Sequence, residues 1–105
     1  MEIIDDKIRA VLRRAWSLWG STKQWNMVIE ECAELISAIN RYHRKRTDLV
    51  HLVEEVADAT IMLAQAREAL GPEVVDTLIR LKLARLTQRV EAGEEKRKRG
   101  EETHG

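Results

Sequence analysis

The sequence predicts an all-α fold, a four-helix bundle, and three observations carry that expectation. Phe is absent and Gly (5) and Pro (1) are scarce, while helix formers such as Ala, Leu, Glu and Arg abound. Apolar residues recur at spacings of three and four along most of the chain. The interruptions between those periodic stretches are short, and short links between helices imply antiparallel neighbours. At 105 residues the chain supports one domain.

The first helix is read from Ile4, Ile8, Val11, Leu12, Ala15 and Trp16, ending near Trp19 and Gly20. "STKQ" follows with the form of a capping box, Ser21 as N-cap and Gln24 reaching back to it. The second helix is expected to run to about Arg44, its last turn rich in cations that suit the helix dipole. "RKRTD" is a polar link, with Thr47 or Asp48 capping the third helix. Gly71 and Pro72 end that helix and start the fourth, since Gly suits the position past a helix end and Pro the first helical position. The fourth is expected to stop near Gly93. This gives a helical domain over residues 1–93 and a polar, disordered tail over 94–105 that has nothing to bury.

Composition narrows the function classes. Eighteen basic residues balance eighteen acidic ones, so no bulk field draws the chain to nucleic acid or a membrane, and neither partner is expected. The loop "RYHRKRTD" is a single basic segment on a neutral chain, weak grounds for nucleic-acid binding. One cysteine, Cys32, sits on an apolar stripe and reads as a small core residue. With no basic-then-apolar leader and no apolar run near ~20 residues, the chain is expected in the cytoplasm.

The chemistry lies in a repeated layout. "VIEECAELI" (28–36) sets three glutamates among apolar residues, and 24 positions later "LVEEVADAT" repeats the pattern with Glu54, Glu55 and Asp58. Trp25, Val28, Ile29, Cys32, Leu35, Ile36 and Ile39 are expected to form the second helix's buried stripe. Glu31 and Glu34 fall on a flank beside it with Met27 and Ala38, and Glu30 leans further out. The third helix is apolar almost all round, which predicts a buried helix with Glu55 and Asp58 on a narrow polar stripe. Favourable helix pairs need opposite charges three or four apart. Here Glu30 meets Glu34, and Glu54 meets Asp58.

If the two helices face each other, four carboxylates converge. Two such charges at ~6 Å repel by about 3 kcal/mol at an effective dielectric of 20. Protons, basic side chains or a metal ion must offset that. Carboxylates without an inward His or Cys make a hard oxygen site suited to Mg²⁺ or Mn²⁺ rather than zinc. His51, one turn before Glu55, is placed to tune the site or to stand as a hydrogen-bonded bystander. Mg²⁺ often binds substrate phosphates beside protein carboxylates. Lys82, Arg85 and Arg89, on one face of the fourth helix, are candidate phosphate-binding cations, with solvated surface as the alternative.

"EECAE" (30–34) followed by "EVAD" (55–58) resembles the EExxE…ExxD signature of the all-α nucleoside triphosphate pyrophosphohydrolases, the superfamily of MazG, dimeric dUTPases and phosphoribosyl-ATP pyrophosphatase. The similarity runs from "WGSTKQ" to "KLARLTQRVEAG" and looks most like the short MazG-like proteins. The resemblance implies a four-helix MazG-like bundle completed by a homodimer or homotetramer. It implies Mg²⁺-dependent cleavage of a nucleoside triphosphate between its α and β phosphates, giving a monophosphate and pyrophosphate. Glu31, Glu34, Glu55 and Asp58 would be metal ligands by motif position, with Glu30 and Glu31 the candidates for catalysis and water orientation. Gln24 and Trp25 are candidates for contacting the nucleoside. Two rivals remain: phosphoribosyl-ATP as substrate, and a non-enzymatic helical interaction module.

Overall fold

The structure, a computed structural model, describes residues 2–100. Four helices fill it: α1 (Asp6–Trp19), α2 (Ser21–His43), α3 (Leu49–Leu70) and α4 (Pro72–Lys98). No strand occurs among the described residues. The chain divides into two compact units, the first ending at Gly71 and the second beginning at Pro72. The expected all-α class is therefore observed, with α1, α2 and α3 packed in one unit and α4 forming the other.

Local signals account for most helix ends. Asp5 caps α1, its carboxylate accepting from the Ile8 backbone N–H at 2.9 Å, and Asp48 caps α3 through the His51 N–H at 3.0 Å. Such caps contribute about 1 kcal/mol each. Gly71 closes α3 at φ 107°, a conformation that favours glycine, and Pro72 opens α4.

The capping box at Ser21 does not form. Ser21 is already the first residue of α2, and the N-cap is Gly20, at φ 88°, with no side-chain cap. Gly20 also donates its N–H to Trp16 O at 3.0 Å, so one residue closes α1 and opens α2. A turn this tight leaves no residue in which a serine could cap. α2 ends at a Schellman-type closure, with Arg46 N–H donating to Arg41 O at 2.8 Å and Lys45 N–H to Tyr42 O at 3.0 Å. Lys45 takes the left-handed conformation there at φ 57°.

α4 extends through Lys98, past the end expected near Gly93. Residues 94–98 need no buried face to be helical. Glu94 and Lys98 stand four apart in the favourable order, and the basic last turn suits the helix dipole. Residues 101–105 of the expected tail lie outside the described residues.

In the first unit α2 pairs most extensively with α3, and α1 lies against both. Its buried apolar residues are Leu12, Ala38, Ala59, Met62 and Ala66. The seam on α2 follows Gln24, Glu31 and Ala38, each seven residues from the last; on α3 it follows Leu52, Glu55, Ala59, Met62 and Ala66. This narrows the expected buried stripe, of which Trp25, Val28, Cys32 and Leu35 are half-buried while Ile29, Ile36 and Ile39 are exposed. Ile29 is 66% exposed and Ile36 61%, and on α3 Val53 is 58% exposed, so α3 is not buried all round in the single chain. Ala38 and Ala59 decide the matter, because small side chains let two helix backbones approach closely. The flank that carries the acids is the face that packs.

α1 is fastened by a buried ion cluster. Glu68 on α3, its side chain 1% exposed, accepts a hydrogen bond from Arg9 Nε and lies 3.5 Å from Arg13 and 3.6 Å from Arg67. The Arg9 bond holds the Glu68 carboxyl below its ordinary value of 4.5, against the opposing effect of burial. Its contribution is complete above that value and fades as pH falls through the lower folded value. Glu68→Ala should lower the melting temperature by roughly 8–16 °C, as loss of a charge-assisted bond of about 2 kcal/mol implies. Arg13→Ala, removing a half-exposed partner, should shift it far less. Thermal melts followed by circular dichroism check both, and equal effects would assign the cluster no special weight.

Candidate metal centre

The α2–α3 seam brings three of the sequence-predicted acids together. One carboxylate oxygen from each of Glu31, Glu34 and Glu55 lies within 4.8 Å of the other two. Glu31 and Glu55 are half-buried, Glu34 is exposed at the rim, and the Glu55 side chain is 12% exposed. One turn before Glu55, His51 Nε2 sits 4.0 Å from Glu55 Oε1. Glu31 Oε2 and Glu55 Oε2 are buried with no hydrogen-bond partner.

That arrangement is electrostatically unfavourable when fully ionised. The Glu31 carboxyl is pushed above its ordinary 4.5, first by burial and then by Glu34, Asp58, Glu55 and Glu30 in decreasing order. Asp58 and Glu30 thus act on Glu31 through their charge, although both are exposed and stand outside the close trio. An uncompensated buried carboxylate oxygen costs about 1–3 kcal/mol or more, so two in one seam need an explanation. Carboxylate oxygens are hard donors, and orphaned ones at this spacing fit Mg²⁺ or Mn²⁺ better than zinc.

A cavity of about 300 Å³ adjoins the trio, lined by Glu34, Ser37, Ala38, Arg41, His51 and Glu55. That is the small end of the ~300–1,000 Å³ range of ligand pockets. Ser37 and Arg41 follow Glu34 by three and seven residues, on the same face of α2. The sequence did not single them out, and the helical spacing from Glu34 is the signal that could have. A larger cavity of about 650 Å³ runs along α1 beside Val11, Arg13, Leu18 and Trp19, with no carboxylate in its wall.

The remaining candidates are placed as follows. Gln24 is buried on the packed face of α2, two turns before Glu31. Trp25 is half-buried and meets Trp16 edge to face, with ring centroids 5.0 Å apart and planes at 86°. Lys82, Arg85 and Arg89 are exposed on α4, in the second unit. No family model, curated protein or solved structure matches the chain.

The Glu31 carboxyl keeps its proton above the ordinary 4.5. Because the folded form holds that proton longer than the unfolded chain, metal-free stability should fall as pH rises from 4.5 through the raised value. Millimolar Mg²⁺ should raise the melting temperature above that window and not below it. The variant Glu55→Gln with Asp58→Asn should be at least as stable as the parent without metal, yet gain nothing from Mg²⁺. Melts across pH with and without Mg²⁺ test both; a double variant that unfolds without metal contradicts the repulsion.

Proposed function

We propose that this chain is a Mg²⁺-dependent nucleotide pyrophosphohydrolase of the MazG-like kind, cleaving (d)NTPs to (d)NMP and pyrophosphate. The observation that carries the reading is the pair of orphaned oxygens of Glu31 and Glu55 inside a seam whose acids follow the EExxE…ExxD spacing.

Glu31, Glu34, Glu55 and Asp58 would hold the metal, which when bound neutralises phosphate charge and polarises the phosphoryl oxygens. Glu31 or Glu30 orients a water and takes its proton. The water oxygen bonds to the attacked phosphorus as the α–β bridging bond breaks, so pyrophosphate and a monophosphate leave. By the resemblance alone, Lys82, Arg85 and Arg89 would supply cations for the phosphates, and Gln24 with Trp25 would contact the nucleoside.

Ile29, Ile36, Val53 and Val56, exposed on α2 and α3, support assembly as a homodimer or homotetramer, because covering large apolar side chains is favourable. The same surface also favours the second reading, a helical interaction module. No helix among the described residues is long and apolar enough to cross a membrane.

A panel of NTPs, dNTPs and phosphoribosyl-ATP, assayed with Mg²⁺ or Mn²⁺ for pyrophosphate against orthophosphate release, decides among the readings. Pyrophosphate release that disappears with chelator is expected, and Glu31→Gln should reduce kcat by about 100-fold or more. Preference for phosphoribosyl-ATP would move the substrate assignment. No release from any of them would leave the interaction module.

A further inference from the structure

The wall of the cavity beside the trio changes sign along α2. Glu34 stands at one end and Arg41 at the other, with Ser37 and Ala38 between them. Arg41 forms no ion pair among the described residues. Arg41 is exposed at the cavity wall, and its guanidinium can present a two-pronged donor set to a phosphate or carboxylate there. Past it the chain is more basic still, with His43, Arg44, Lys45 and Arg46 following at the α2 closure. The acids thus lie at mid-helix and the cations at its C-terminal end.

From this order we infer that Arg41 binds the terminal phosphates of the substrate, the part that departs as pyrophosphate. The inference rests on the nucleotide reading above and adds a direction to it. The phosphate chain lies along the cavity from the carboxylate trio towards the C-terminal end of α2, and the nucleoside points the other way, towards Trp25. Seven residues of α2, roughly 10 Å of helix, separate Glu34 from Arg41, so on this reading a monophosphate at the trio falls short of Arg41 and a polyphosphate spans the distance. The ordinary role of Arg41 would be only to offset the negative end of the helix dipole. Two comparisons separate the roles. Arg44→Gln removes the same charge from the same helix end without touching the cavity wall. Arg41→Lys keeps the charge and the dipole effect but loses the two-pronged geometry.

Calorimetric titration of the full chain with tripolyphosphate in saturating Mg²⁺ tests this without turnover. The parent should bind it. Arg41→Gln should weaken binding 10- to 100-fold and Arg41→Lys by an intermediate factor, while Arg44→Gln stays within about twofold. Affinity for Mn²⁺ alone and for a nucleoside monophosphate should not change in Arg41→Gln. A parent that does not bind tripolyphosphate, an Arg41→Gln variant that binds it unchanged, or equal losses in Arg41→Gln and Arg44→Gln would each overturn the inference. The two readings fail separately. Tripolyphosphate binding through Arg41 in a chain that releases no pyrophosphate sinks the enzyme and keeps the subsite. Pyrophosphate release indifferent to Arg41 does the reverse.

Discussion

The pairing of α2 with α3 places Glu31 and Glu55 where a helix pair ordinarily puts apolar side chains, and the first unit is organised around the consequences. Ala38, 1% exposed, and Ala59, 2% exposed, close the seam on these helices. Between the two helices an oxygen of each of Glu31 and Glu55 is buried without a hydrogen-bond partner. Close packing and charge are therefore in conflict at one place. A proton relieves the conflict at low pH. A divalent cation is the agent that could relieve it at neutral pH, which is why the proposed function begins at this seam.

Glu68 shows that burial alone does not produce such a site. It is more deeply buried than Glu55, yet its carboxyl is held below the ordinary value where that of Glu31 is raised. The difference lies in the neighbours: Arg9, Arg13 and Arg67 surround Glu68, whereas Glu34, Asp58, Glu55 and Glu30 surround Glu31. Glu68 Oε2 is likewise buried without a hydrogen bond, but Arg13 stands 3.5 Å from it, so this acid is offset by cations and fastens α1 to α3. The other is opposed by like charges and remains available to a ligand, the condition that marks perturbed groups as functional candidates.

The seam also has a consequence for the outer faces. Turning the acid-bearing flanks inward sends Ile29, Ile36, Val53 and Val56 outward, and the buried apolar set of the first unit is correspondingly small. Small domains gain little from their own cores. A second copy covering these residues would add the missing burial, so the proposed assembly and the proposed site have a common origin in the choice of which faces meet.

Much of the local structure was legible in the chain itself. Apolar periodicity located the four helices, and Asp48 and the Gly71–Pro72 step marked their ends through backbone preferences that act within a few residues. The repeated spacing also picked out Glu31, Glu34 and Glu55, because residues three or four apart share a helix face wherever the helix lies. What periodicity could not choose was which of two adjacent faces packs. Ile29 and Ile36 carry more apolar surface than Gln24 and Ala38, yet the latter are buried; a small side chain such as Ala38 suits close helix contact, and the burial of Gln24 follows from its place on the same face. The Arg9–Glu68 bond spans 59 residues, and Arg41 lines one cavity with His51 and Glu55 of the neighbouring helix. Such meetings depend on how helices are placed against one another, a three-dimensional outcome that no local spacing contains.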